Sequence, residues 1–275
     1  APKMVRYPEL AEFLTRITGR TFTGLGRRAK YLLLHLDSGD DLMVHLKMTG
    51  RLLHQNPQDP LEPHTHIILS LDDGTELRFQ DARTFGGFYL IGPDRVGAPP
   101  GFARLGPEPL SAAFTPAYLL RTLAGRKGRI KSLLLNQDLV SGLGNIYADE
   151  ALFRSGIHPA RASSSFSPAE VRRLHQAVNQ VVLESLALRG TSFSSYVDGQ
   201  GNKGRNVENL RVYGREGEPC FVCGTLVERL VIGGRSSHFC PHCQRNKAGR
   251  RRSRQVTGEA AGRGLNPERS QRRDG

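Results

Sequence analysis

The chain has 275 residues, 38% of them hydrophobic, enough to core two domains and too many for a wholly disordered polypeptide. Its formal net charge of +13 points to a polyanionic partner, nucleic acid above all. No apolar run reaches the roughly 18 residues of a membrane span and no signal peptide is legible, so the expected location is the cytoplasm, without membrane contact.

Residues 8–19 form an amphipathic pattern that Gly19 ends, which predicts a short helix. Strand-like runs follow at 21–25, 31–36, 42–46, 66–71, 76–79 and 85–91. Polar turns at 37–40 and 72–75 separate them. Short strands at this spacing predict an antiparallel sandwich or barrel. Residues 92–109 are rich in Pro and Gly and read as a linker. Beyond it the pattern turns helical, at 115–123, 129–135, 145–155 and 167–188. Ser167-Pro-Ala-Glu170 has the order of a capping box with proline at the first turn. Residues 190–215 are rich in Gly, Ser and Asn and predict a loop.

All four cysteines lie near the end, as Cys220-Phe-Val-Cys223 and, after sixteen residues, Cys240-Pro-His-Cys243. Two such knuckles supply four thiolates, the donor set of one structural Zn2+. Two disulfides are the competing reading. It suits a secreted chain rather than a cytosolic one. Between the knuckles, Gly233-Gly234 separates two β-rich runs and predicts a hairpin with Arg235 near its tip. The tail, residues 246–275, holds nine Lys/Arg against three Asp/Glu and reads as a basic disordered segment, leaving +7 for the rest of the chain.

Three further stretches invite a chemical reading. Gly142-Leu-Gly-Asn145 precedes a helix start, where glycines let a phosphate approach the first helical N–H groups, and Lys127, Arg129 and Lys131 add charge upstream. Glycines that only make a turn would look the same. Lys30 stands in a basic cluster, Arg27-Arg-Ala-Lys30, and by itself reads as a solvated surface lysine rather than a chemical group. Met48 and Phe85, taken alone, read as core residues rather than ligands, and His64 is ambiguous.

The order of these pieces resembles the bacterial formamidopyrimidine-DNA glycosylases. The stretches that match are Arg27-Arg-Ala-Lys-Tyr-Leu-Leu-Leu34, His45-Leu-Lys-Met-Thr-Gly50, Leu105-Gly-Pro-Glu-Pro-Leu110, Gly142-Leu-Gly-Asn-Ile-Tyr-Ala148, Gly156-Ile-His-Pro159, Val212-Tyr-Gly-Arg215 and the cysteine knuckles. The resemblance spans about residues 5–245. It implies an α+β multidomain protein: an antiparallel β-sandwich over 1–103, a helix–two-turns–helix domain over 104–215 and a zinc finger over 216–245. It also implies a monomer that holds duplex DNA containing oxidised bases such as 8-oxoguanine. Such enzymes flip the lesion out, cut the glycosidic bond through a Schiff base and nick the strand by β- and δ-elimination.

Carried onto this sequence, the resemblance makes Lys30 the proton-transfer lysine of strand scission. It makes Met48, Arg83 and Phe85 the trio that fills the gap left by the flipped base. It makes His64, Lys127 and Asn145 phosphate contacts, and Arg235 the finger arginine that grips the backbone and serves δ-elimination. Lys131 is expected to reach DNA with the Lys127 cluster. Two departures stand out. Thr84 occupies a place where the family often has a second arginine. The family also begins with Pro-Glu, whose proline amine is the nucleophile, whereas here the matching pattern starts some 25 residues later. Pro8-Glu9 only looks like that motif, so the first strand and helix are expected to be missing and activity to depend on an upstream segment. A non-catalytic damaged-DNA-binding protein and an endonuclease VIII-like glycosylase for oxidised pyrimidines are the alternatives.

Overall fold

The computed structural model describes residues 2–193 and 196–246; the basic tail from Lys247 onward and the Ala1 amine lie outside the described residues. In chain order the first half contains β1 (Val5–Tyr7), α1 (Leu10–Ile17), β2 (Phe22–Arg28), β3 (Tyr31–Leu36), β4 (Asp41–His45), β5 (Arg51–Gln55), β6 (Thr65–Ser70), β7 (Glu76–Gln80) and β8 (Gly87–Ile91). They form a five-stranded sheet ordered β1-β8-β4-β3-β2 and a three-stranded sheet ordered β5-β7-β6. Every pairing is antiparallel except β1 with β8, a departure from the all-antiparallel expectation.

The inner faces share one core, including Leu34, Leu36, Leu42, Val44, Phe79, Phe88 and Leu90. Phe79 and Phe88 meet edge to face with centroids 5.0 Å apart. Each such side chain, fully buried, stabilises the fold by about 1.5–3 kcal/mol. The sequence reading missed β1 and β5. β1 has only three residues. In β5 only Leu53 is buried, so no clean alternation marks it.

The second half contains α2 (Pro116–Leu123), α3 (Ile130–Leu134), α4 (Asn145–Arg154) and α5 (Pro168–Ala187). Thr115 Oγ1 caps α2 by accepting from Tyr118 N at 3.0 Å. Ser167 and Glu170 complete the expected capping box of α5. Ile130, Leu134, Ala148, Leu152, Leu174 and Val178 are among the residues of the helical core. The ribbon follows as β9 (Glu228–Ile232) and β10 (Arg235–Phe239), paired so that Arg235 faces Ile232 across a two-residue turn. Gly233 and Gly234 have φ of 57° and 73°, the doubly left-handed turn that matches strand twist.

Candidate functional site

The β2–β3 connection is the centre of the site. Arg28 pairs with Tyr31, so Ala29 and Lys30 alone make the turn, with Ala29 at φ 51°. This turn is held against the helical domain by Glu108. Its Oε1 accepts from Ala29 N at 3.0 Å and from Arg28 at 2.8 Å, and its Oε2 pairs with Arg27. Arg28 also donates to the carbonyls of Leu105 and Gly106 at 2.7 and 2.9 Å. Burial alone would raise the Glu108 carboxyl. The Ala29 N–H and the two guanidiniums outweigh it and hold the group below the usual carboxylate range. The clasp therefore stays charged and fixes where Lys30 points.

Lys30 Nζ donates to Leu143 O at 3.0 Å, at the loop that opens α4. The Leu143 carbonyl is itself held by Gln137 Nε2 at 3.0 Å, and Gln137 Oε1 accepts from Gly142 N at 2.9 Å. Gly142 needs its left-handed φ of 82°, whereas a Cβ on Gly144 would come within 3.8 Å of the Lys30 ammonium. The lysine side chain is exposed by area, yet its tip is surrounded by protein. Burial, then the charges of Arg235 and Lys47, lower its pKa to about 8. Beside it, His45 is pulled to about 4 by burial, then Lys47 and Lys30, so it is neutral and accepts from Lys47 N at 2.9 Å. A cavity of about 250 Å3 joins Lys30, His45, Lys47 and Gln137. An amine that titrates near neutrality, beside a helix N-terminus and an arginine, can both grip a phosphodiester and move a proton.

A second cluster projects from the sandwich loops. Met48 and Phe85 are 70% and 58% exposed, so neither is a core residue. Arg83 NH1 lies 3.5 Å from Met48 Sδ. Asp81, fully buried, joins the two loops: its carboxylate accepts from Thr49 Oγ1, from Arg83 N at 3.2 Å and from Gly86 N at 2.8 Å. Burial pushes its pKa up, but these donors, Thr49 first, leave it below the ordinary value. His64, at φ 66°, borders the same loops, its carbonyl accepting from Asp81 N at 3.1 Å. Thr84 has φ 53° and its carbonyl accepts from Arg6 at 3.3 Å.

The four cysteine sulfurs lie within 4.8 Å of one another. Cys223 Sγ is 3.5 Å from both Cys240 and Cys243, and Cys220 is 4.0 Å from Cys243. Tetrahedral zinc with bonds of about 2.3 Å places its sulfurs about 3.8 Å apart, so the donor set fits one Zn2+. Arg235 is exposed at the ribbon tip. A Cβ on Gly233 would lie 3.4 Å from Ser132 Oγ, so the turn rests on α3.

Lys131 requires a correction. It is expected to contact DNA, but it is 0% exposed and forms an ion pair with Asp149, itself 0% exposed, at 2.7 Å. It also donates to Ser236 O at 2.5 Å, while His238 N donates to Asp149 Oδ2 at 3.0 Å. Burial lowers its pKa, and Asp149 partly offsets that. The pair seats the ribbon on α3 and α4 and cannot reach a phosphate. Asn145 shares in this docking, its Nδ2 donating to Ser236 O at 3.1 Å, whereas Lys127 is exposed on the loop between α2 and α3. Glu108, Asp81, His45, Lys47 and Gln137 were not foreseen as site residues. Glu108 had a visible signal in Leu105-Gly-Pro-Glu-Pro-Leu110, as His45 and Lys47 had in His45-Leu-Lys-Met-Thr-Gly50; Asp81 and Gln137 lie outside the matching stretches.

Comparison with known proteins adds three family matches. Residues 1–88 match the formamidopyrimidine-DNA glycosylase N-terminal domain, 105–197 the formamidopyrimidine-DNA glycosylase H2TH domain, and 217–246 the zinc finger found in FPG and IleRS. The chain is 51% identical over 244 residues to the formamidopyrimidine-DNA glycosylase of Symbiobacterium thermophilum, covering 88% of this chain and 79% of that one. It is 47% identical over 247 residues to the Desulforamulus reducens protein of the same name, covering 90% and 89%. Among solved structures it is similar to Lactococcus lactis Fpg in complex with DNA containing an abasic site, with TM-score 0.83, 33% identity and 89% of each chain covered. It is also similar to a MutM complex with DNA containing carbocyclic 8-oxo-G, with TM-score 0.81 and 32% identity, again covering 89% of each chain.

Proposed function

The chain belongs to the formamidopyrimidine-DNA glycosylase family, and from that premise we propose that it excises oxidised purines, 8-oxoguanine and formamidopyrimidines, from duplex DNA and nicks the strand by β,δ-elimination. It acts as a monomer in the bacterial cytoplasm, on nucleoid DNA. No described helix is long and apolar enough to cross a membrane.

The observation that carries the reading is the exposed trio. Two apolar side chains and a guanidinium stand together on loops that a buried aspartate ties down. Exposing Met48 and Phe85 stabilises nothing in the free protein. Inserted into a duplex they replace the stacking lost when a base is flipped, while Arg83 donates to the orphaned cytosine. Lys30 transfers the proton of the scission step: near pH 8 it is divided between amine and ammonium, and Arg235 beside it receives the phosphate. His64, Lys127, Asn145 and Arg235 position the backbone. The zinc supplies no chemistry; it closes the ribbon that carries Arg235. In the family the amine that attacks the sugar carbon is an N-terminal proline. Pro8 is internal, so its nitrogen is an amide and takes no such part.

Met48→Ala and Phe85→Ala will weaken binding to an 8-oxoguanine duplex by about ten- to a hundredfold, and to a gapped duplex far less, because unstacking costs a few kcal/mol. Equal losses on both duplexes, or a fall in thermal stability without loss of discrimination, would sink the assignment. Borohydride trapping on the same lesion duplex, with the chain extended upstream by a segment beginning Pro-Glu and without it, separates the readings. A covalent adduct is the enzyme's signature, and lesion binding without any adduct would favour the non-catalytic alternative.

A further inference from the structure

We propose that the groove where the end of α4, the first turns of α5 and the first cysteine knuckle meet docks an acidic peptide of a partner protein, with an apolar side chain seated on Phe221. The groove has a volume of about 650 Å3, and its lining includes Phe153, Arg154, Arg173, Arg211, Phe221 and Val222. Phe221 and Val222 are 61% and 72% exposed although they sit in the turn of a metal knuckle. Exposed apolar side chains gathered inside a groove mark contact surfaces more often than scattered ones do.

The charge around them is cationic and only partly neutralised. Arg154 is paired with Glu184 through both carboxylate oxygens, at 2.6 and 2.7 Å, and Arg215 with Glu218 at 2.8 Å. Among the described residues Arg173 and Arg211 have no ion-pair partner. The guanidinium of Arg215 lies 3.5 Å and that of Arg211 5.6 Å from the Phe221 ring centroid, so the aromatic floor is flanked by positive charge. Two guanidiniums without an ion pair, beside an apolar seat, complement a short segment that combines carboxylates with one large apolar residue.

Two other occupants fit less well. A phosphodiester backbone tracks an extended cationic stripe, whereas here Arg154 and Arg215 are already paired with glutamates and the floor is the apolar Phe221 and Val222, which a phosphodiester leaves unused. The chain's own tail starts beside the groove, since Cys243 lines it, yet its nine Lys/Arg against three Asp/Glu are repelled by the same guanidiniums. The position also leaves the groove free during catalysis. Asn145 begins α4 at the Lys30 junction, and Arg154 ends it nine residues on, about 13–14 Å away along the axis.

The test is fluorescence anisotropy with the zinc-loaded full chain and a short labelled peptide, rich in aspartate with a central phenylalanine. Saturable binding is expected below about 1 mM. Arg173→Glu alone, on the surface of α5, should weaken it about tenfold, and Arg173→Glu with Arg211→Glu by about a hundredfold, with lesion-duplex affinity and zinc content unchanged. Phe221→Ala should weaken a peptide that carries the phenylalanine more than one with alanine in its place. No binding up to that concentration, indifference to the charge reversals, or displacement of the peptide by undamaged duplex would each overturn the proposal. The last outcome would assign the groove to nucleic acid.

Discussion

Replacing Lys131 by methionine separates the sequence expectation from the structure most sharply. A lysine that contacts DNA is solvated in the free protein, and losing it leaves the fold intact. Lys131 instead ion-pairs with Asp149 at 2.7 Å with both side chains fully buried. Lys131→Met leaves the Asp149 carboxylate in the interior with the His238 N–H at 3.0 Å and the His238 imidazole at 3.5 Å but without its lysine. An uncompensated buried charge of this kind costs about 3–5 kcal/mol. The loss falls first on ribbon docking, because Ser236 O loses a 2.5 Å donor in the same step. Native-state hydrogen exchange should therefore show the His238 amide opening about 150- to 4,000-fold more readily, the equivalent of those 3–5 kcal/mol. DNA affinity should fall with it, since Arg235 is carried by the same strand. Adding Asp149→Asn to Lys131→Met removes the stranded charge and should recover about 2 kcal/mol, read as a double-mutant cycle. If Lys131→Met instead weakens DNA binding about tenfold or more while His238 protection stays at its original level, the docking account is wrong and Lys131 does reach the phosphates.

Zinc removal by a chelator should release the metal with loss of duplex affinity, because four thiolates without their cation do not hold the turn that presents Arg235; retention of full affinity by metal-free protein would refute this. Lys30 should titrate near 8 when followed by NMR of the methylated lysine, and Arg235→Ala should move it upward, because a neighbouring positive charge is removed. The unfolded chain keeps that proton to about 10.5, so this group's contribution to stability rises with pH between 8 and 10.5. A value near 10.5 in the intact protein would contradict the crowded setting described for its tip. Asp81→Asn should impair lesion discrimination much as Met48→Ala does, since an amide keeps only one acceptor and its NH2 cannot accept from Gly86 N while its oxygen serves Thr49 and Arg83; unchanged discrimination in a stably folded variant would remove Asp81 from the site.

Much of the molecule was legible because local chemistry suffices for it. The paired Cys-x-x-Cys knuckles specify their own geometry, since each turn brings two sulfurs together whatever surrounds it. Gly233-Gly234 selects a two-residue turn, and Ser167 with Glu170 starts α5, for equally local reasons. The strands with plain alternation or long apolar runs were found, while β1 and β5, short or without a clean face, were not. What a residue does with its charge was decided elsewhere. Lys127 and Lys131 look alike four residues apart in one basic stretch, yet one is solvated and the other sealed against Asp149. Met48 and Phe85, taken alone, read as core residues, but the loops closed around Asp81 and left them outside. Lys30 becomes a group that titrates near 8 only because Arg235, from a segment two hundred residues later, and the loop before α4 converge on it. Burial, pairing and electrostatic perturbation depend on which distant segments meet, and periodicity along the chain contains no record of that.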